Sequence, residues 1–114
     1  GLEEFDRPTL PLLSASEHEA LNAPIFQDLS RKVIGSESGN EAGHRFEAAV
    51  SALAGSGRSH EPLVIISHGT VIALLVSAHN EVDGFQLWQE LSCASFVVLT
   101  YPGFALVSGV ERLR

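Results

Sequence analysis

The sequence is poor in cysteine and in cations, and each shortage excludes a class of structure or function. Its single cysteine, Cys93, rules out an intrachain disulfide and any CxxC metal or redox motif. We therefore expect a reducing, cytoplasmic compartment. Seven lysines and arginines stand against fourteen acidic residues, which gives a net charge of −7. This balance argues against broad binding to nucleic acid or to an anionic membrane.

Long apolar runs and metal-ligand patterns are also missing. The longest nearly unbroken apolar run, Val71 to Ala78, is too short to cross a bilayer, and no charged-then-apolar leader opens the chain. Histidines other than the one at position 68 are scattered, without i, i+4 pairs or an HExxH motif. The pattern predicts no metal site and no cofactor.

Hydrophobic residues are frequent enough for a buried core, at 45% of 114 residues, and we expect one domain over residues 1–114. Ser14 and Glu17 have capping-box spacing, which predicts a helix from Ala15 to Leu21. Asn22-Ala23-Pro24 is predicted to end it, and to start a second helix whose apolar stripe is Phe26, Leu29 and Val33.

Two further amphipathic patterns predict helices later in the chain. The first runs over residues 41–53 and places its apolar positions on one face, namely Phe46, Ala49, Val50 and Leu53. Asp83 can cap a short helix that carries Phe85, Leu87, Trp88 and Leu91. Trp88 and Phe85 are expected to pack on the core rather than to stack on nucleic-acid bases.

The segment Leu63-Val64-Ile65-Ile66 is continuously apolar, which is typical of a parallel strand buried on both faces. After Ser67-His68-Gly69-Thr70, an apolar helix is predicted from Val71 to about His79. Residues 95–101 and 104–110 flank Pro102-Gly103, which predicts an antiparallel hairpin. Together these elements indicate an α/β fold.

His68 lies where the predicted strand passes into a helix. Ligands of open α/β sheets bind beyond the carboxyl ends of strands, and helix N-termini attract phosphate. His68 could donate to a phosphoryl oxygen, or it could be a buried histidine bonded to a loop carbonyl. Gly69 would let the backbone approach a ligand closely. Thr70 could bind phosphate or could merely cap the helix that follows.

The stretch LVIISHGTVIALLV resembles the second histidine motif of the histidine phosphatase superfamily, the phosphoglycerate-mutase-like proteins. Three other segments are similar to the family pattern: Leu2-Glu3-Glu4 to its L-x-E segment, residues 39–46 to its G-E-[ST] and R-F helix opening, and residues 91–96 to the loop before its antiparallel strand. The resemblance implies a three-layer α/β/α fold with a mixed sheet. It also implies that Glu4 is the proton donor and that His68 binds phosphate, which leaves Gly69 and Thr70 as candidate phosphate-binding residues beside it.

The family's nucleophile, the histidine of an Arg-His-Gly motif on the first, central strand, has no counterpart in the sequence. The nearest strings, Gly43-His44-Arg45 and Arg58-Ser59-His60, have the wrong order. The resemblance therefore implies the C-terminal portion of a phosphatase that forms phosphohistidine on a small phosphorylated substrate, catalytically inactive as this chain alone. Short loops favour a phosphatase over a mutase.

Without that central strand, segments 63–67 and 95–101 should each have an unpaired edge. The missing strand could come from another chain or fragment, two copies could associate through the edge, or the two segments could close into a rearranged sheet. A non-catalytic module that binds a phosphorylated ligand or a protein is the alternative function. An unrelated α/β domain with a coincidental Ser-His-Gly is a third reading. Arg45 is predicted to be a surface or ion-pair residue, and Cys93 to be no nucleophile.

Overall fold

The computed structural model describes residues 1–5, 13–33, 35–56, 61–92 and 94–112. Within these ranges the chain forms helices and two short strands: α1 (Ala15–Gln27), α2 (Gly39–Ser56), α3 (Gly69–His79), α4 (Gly84–Glu90), β1 (Ser95–Phe96) and β2 (Glu111–Arg112). The statements on Arg58-Ser59-His60 and on Cys93 concern residues outside the described ranges. This content is compatible with a partial α/β phosphoglycerate-mutase-like fold. The three layers and the mixed sheet stay predictions, since the described strands pair only antiparallel.

Helix α1 begins with the predicted capping box but does not end where predicted. The Ser14 hydroxyl accepts from the Glu17 N–H, and the Glu17 carboxylate accepts from the Ser14 N–H, both at 3.2 Å. The helix then passes through Pro24 to Gln27, so the predicted break is wrong. An internal proline costs about 3 kcal/mol. Complete burial of Ile25 in the core offsets this cost.

Helix α2 starts at Gly39, two residues before the predicted start, because a second capping box precedes it. The Ser38 hydroxyl accepts from the Glu41 N–H at 3.1 Å, and the Glu41 carboxylate accepts from the Ser38 N–H at 3.0 Å. Phe46 and Val50 are buried as predicted, whereas Leu53 is 41% exposed. The buried face of α2 therefore ends one turn earlier than the sequence pattern indicated.

Helix α3 is the centre of the core and packs against both α2 and α4. Five of its apolar side chains are buried: Val71, Ala73, Leu74, Leu75 and Val76. Burial of each larger one contributes about 1.5–3 kcal/mol. Helix α4, capped by Asp83 as predicted, covers α3 with Leu87 and Trp88. Trp88 packs on the core as predicted, and its ring stacks on that of Phe85 at 5.6 Å.

The predicted hairpin is present with an irregular second arm. Leu99 pairs antiparallel with Leu106, while Phe96 pairs with Glu111. Two residues separate the paired positions on the first arm and four on the second, so the second arm bulges between its two paired stretches. This bulge reduces the regular sheet to β1 and β2.

The prediction of a buried parallel strand at residues 63–66 is wrong for the described structure. The segment carries no regular secondary structure, and Leu63, Val64 and Ile66 are 53%, 83% and 90% exposed. Ile65 alone of the four packs on the core. The backbone of a buried strand has to pair with neighbouring strands. No described residue pairs with the backbone of residues 63–66. The suggested closure of this segment against residues 95–101 does not occur, since β1 pairs with β2.

Asn80 ties the end of α3 to the hairpin. Its side-chain N–H groups donate to the carbonyls of Val76 and Phe104 at 2.9 and 3.0 Å, and its oxygen accepts from the Leu106 N–H at 2.8 Å. One half-buried amide therefore satisfies three backbone groups.

We expect Asn80→Ala to lower the free energy of unfolding by about 1–3 kcal/mol, because hairpin backbone groups lose their partner. Urea unfolding followed by circular dichroism measures this loss. Asn40→Ala, at an exposed position of α2, is the matched control and should change stability by less than about 0.5 kcal/mol. Equal effects of the two variants would contradict the proposed tie.

The second capping box makes stability depend on pH. The Ser38 N–H donates to the Glu41 carboxylate and lowers the pKa of that carboxyl; burial opposes this effect, and Lys32 adds to it. A lowered folded-state pKa stabilises the fold above the ordinary pKa of glutamate, and this stabilisation is lost as the pH falls through the lowered value. Glu41→Gln keeps an acceptor but removes the charge, so its unfolding free energy should fall less on acidification. Glu17→Gln should likewise reduce the change of unfolding free energy with pH. A pH dependence equal to that of the wild type in both variants would refute this account.

Candidate active site

His68 lies at the N-terminus of α3 and is exposed. It is the N-cap residue, with extended backbone at φ −119° and ψ 152°, and its carbonyl accepts from the Ile72 N–H at 3.1 Å. Its imidazole makes no capping hydrogen bond. The interpretation of His68 as a buried core histidine is therefore wrong, and the ring is accessible to a ligand.

The turn after His68 has the local features of an anion site. The first turn of a helix presents N–H groups without helical partners, and the helix dipole adds partial positive charge there. A Cβ atom on Gly69 would lie 3.9 Å from Trp88 Cδ1 and from Leu91 Cβ, which is ordinary contact. Packing among the described residues thus does not require glycine at this position.

Thr70 is buried inside the first turn of α3 and is not its cap. The helix begins at Gly69 with His68 as N-cap, so the prediction that Thr70 caps a helix starting at Val71 is wrong. The Thr70 hydroxyl accepts from the indole N–H of Trp88 at 3.1 Å. This bond fixes α4 against the beginning of α3, beside the turn that carries His68.

A hydrogen bond joins the His68 turn to the segment that carries Glu4. The Ser67 hydroxyl donates to the Leu2 carbonyl at 2.6 Å. Ser67 directly precedes His68, and Leu2 lies two residues before Glu4. The bond therefore brings together the two segments on which the predicted catalytic residues lie, which are 64 residues apart in the chain. That the two side chains face one cleft stays a prediction.

Glu4 is half-buried, and one of its carboxylate oxygens accepts from the Phe5 N–H at 2.9 Å. The Phe5 ring is 2% exposed and anchors this end of the segment in the core. Glu3 is exposed, so the carboxyl of Glu4 is the more buried of the two.

The Arg45 side chain binds backbone carbonyls of the same segment. Its guanidinium donates to the carbonyls of Gly1, Glu3 and Glu4 at 2.8, 2.9 and 3.2 Å, and to both carboxylate oxygens of Glu37. The predicted ion pair is confirmed: Arg45 pairs with Glu37 at 2.8 Å, and also with the exposed Glu3 at 3.8 Å. The carbonyl bonds were not predicted, because no local pattern shows contact between residues 1–4 and α2.

Two other histidines, His44 and His79, line a cavity away from this turn. A shallow cavity of about 280 Å³ between α2 and α3 includes His44, and the pair formed by His79 and Glu47, but neither His68 nor Glu4. Across the described ranges, no three metal-ligating side chains are grouped suitably for an ion. None of the described helices is both long and apolar enough to cross a membrane.

The bond between Thr70 and Trp88 can be tested with the chain's only tryptophan. Thr70→Val keeps the shape but leaves the indole N–H without this acceptor, which should cost about 1–3 kcal/mol of unfolding free energy. Trp88 emission should move to longer wavelength as water reaches the ring. Thr70→Ser keeps a hydroxyl and should retain the wild-type emission; a shift as large as that of Thr70→Val would argue against the bond.

Comparisons with known proteins support the resemblance. The family model for the histidine phosphatase superfamily (branch 1) matches residues 2–107. Comparison with curated proteins and with solved structures gave no match. The matched range includes both Leu2-Glu3-Glu4 and Ser67-His68-Gly69, the segments joined by the Ser67 hydroxyl. The chain belongs to the histidine phosphatase superfamily.

Proposed function

We propose that this chain supplies the supporting half of a phosphomonoesterase site that works through a phosphohistidine intermediate. One observation carries the proposal: the hydrogen bond from Ser67 to the Leu2 carbonyl brings the His68 turn and the Glu4 segment together. The exposure of His68 at the N-terminus of α3 adds to it, since an anion can approach the ring and the helix end at once.

In this mechanism the nucleophile is a histidine outside the chain, on an Arg-His-Gly strand. Its ring nitrogen attacks phosphorus, and the bond from phosphorus to the ester oxygen breaks. Glu4 gives its proton to that oxygen, which leaves as an alcohol. His68 donates to a phosphoryl oxygen and stabilises the transferring charge. Water then attacks the phosphohistidine and passes a proton to Glu4, which releases phosphate and restores both residues.

The partner in this proposal is the polypeptide segment that carries the Arg-His-Gly strand. Leu63, Val64 and Ile66 are exposed, and the main chain of residues 63–66 bonds to none of the described residues. An unpaired backbone segment with exposed apolar side chains favours pairing with a strand. A second copy of this chain is the competing occupant, and light scattering across a concentration series separates the two.

The experiment compares this chain alone with the completed domain, meaning the chain joined to a segment that supplies the Arg-His-Gly strand. We expect the completed domain to hydrolyse 4-nitrophenyl phosphate and this chain alone to be inactive. His68→Ala in the completed domain should lower kcat/KM by at least about 100-fold, as loss of one charge-stabilising donor does. His44→Ala, on the exposed side of α2, is the matched control. Undiminished turnover in His68→Ala would remove His68 from the mechanism.

A non-catalytic phosphate-binding module is the second candidate, because the His68 turn is formed in a chain that lacks Arg-His-Gly. Binding of inorganic phosphate to this chain, lost in His68→Ala, together with an inactive completed domain, would favour the module over the enzyme.

A further inference from the structure

We propose that Arg45 is the positioning residue of this site, and that it holds Glu4 in place for proton donation. The inference rests on the proposed function, because it needs Glu4 to be the proton donor. It assigns to α2 a role in the chemistry, although α2 contributes no group that would touch the substrate.

The guanidinium of Arg45 replaces the secondary structure that residues 1–4 lack. The segment has no helix or strand in the structure, so its carbonyls have no regular ladder of donors. Three of them, those of Gly1, Glu3 and Glu4, accept from Arg45 at 2.8–3.2 Å. One side chain therefore sets the path of the backbone through the residue whose carboxyl must reach the leaving group.

Glu37 holds the guanidinium in the orientation that these carbonyls need. Its two carboxylate oxygens accept from Nε and Nη2 of Arg45 at 3.2 and 2.8 Å. The Glu37 side chain is 14% exposed and that of Arg45 is 24% exposed, so water screens the pair only partly. A two-pronged pair fixes a planar group, whereas a lysine ammonium would keep its charge and lose the fork.

Arg45 acts between two other fixed points. The Leu2 carbonyl accepts from Ser67, and the Phe5 ring is buried in the core. Both points can hold the ends of the segment while Glu3 and Glu4 move between them. The bonds from Arg45 to these two residues remove that freedom. A misplacement of about 1 Å can cost about 100-fold in rate, so this restraint matters for proton transfer more than for folding.

The test uses leaving groups of different acidity in the completed domain. A poor leaving group, as in phenyl phosphate, needs a proton from Glu4, whereas 2,4-dinitrophenolate leaves without one. Arg45→Lys and Glu4→Gln should each lower kcat/KM for phenyl phosphate by at least about tenfold. Both should leave kcat/KM for 2,4-dinitrophenyl phosphate within about twofold, because kcat/KM reports only the step in which the leaving group departs and not the later attack of water on phosphohistidine. Arg31→Ala, an exposed arginine outside the site, should leave both rates unchanged.

The double variant and a folding measurement complete the test. If Arg45 acts through Glu4, adding Arg45→Lys to Glu4→Gln should lower the phenyl phosphate rate no further. Circular dichroism and urea unfolding identify any general loss of structure, which would lower both rates together. Equal loss on both substrates, or additive losses in the double variant, would overturn the positioning role while leaving the proposed function standing. A completed wild-type domain that hydrolyses neither ester would overturn the proposed function, and the role of Arg45 with it.

Discussion

Burial of α3 on most of its surface is the constraint on which the rest of the structure depends. Helices α2 and α4 pack against it, and Asn80 at its end holds the hairpin. A helix enclosed in this way cannot rotate or slide without exposing large apolar side chains. Its N-terminus is therefore fixed in direction, and with it the position of His68. The four long-range hydrogen bonds, one from Ser67 and three from Arg45, then fix the Glu4 segment relative to that helix.

The elements that the sequence predicted correctly are those whose causes are local. Ser14 and Glu17 satisfy each other within one turn, and the apolar run of α3 is long enough to need burial. The second box, Ser38 with Glu41, has the same Ser-x-x-Glu spacing and could have been found by the same rule. The predicted helix break at Pro24 was wrong because the burial of Ile25, a tertiary contact, outweighs the low helix propensity of proline. The prediction for segment 63–66 was wrong because an apolar run indicates that a strand would be buried if paired, and does not indicate whether a pairing strand is present.

The candidate site likewise has residues that the sequence indicates and contacts that only the structure shows. His68 and Glu4 were identified by resemblance to family motifs. The structure adds that His68 is exposed and that a hydrogen bond joins the segments that carry the two residues. The bonds from Ser67 and Arg45 to backbone carbonyls could not have been predicted, because these carbonyls lie 65 and 41 to 44 residues away in the chain. Nothing in the local pattern around either residue indicates a backbone carbonyl near the other end of the sequence. Such residues become visible only once the segments are placed side by side.

The exposed side chains of Leu63, Val64 and Ile66 have a consequence for the colloidal behaviour of the chain. Two copies that meet through this segment could pair their backbones and continue to add further copies, as in cross-β assembly. The net charge of −7 opposes such encounters at neutral pH. Acidification toward the isoelectric point removes this repulsion while leaving the apolar segment unchanged. Among the described residues this apolar segment is not covered, so net charge is the property that opposes its self-association.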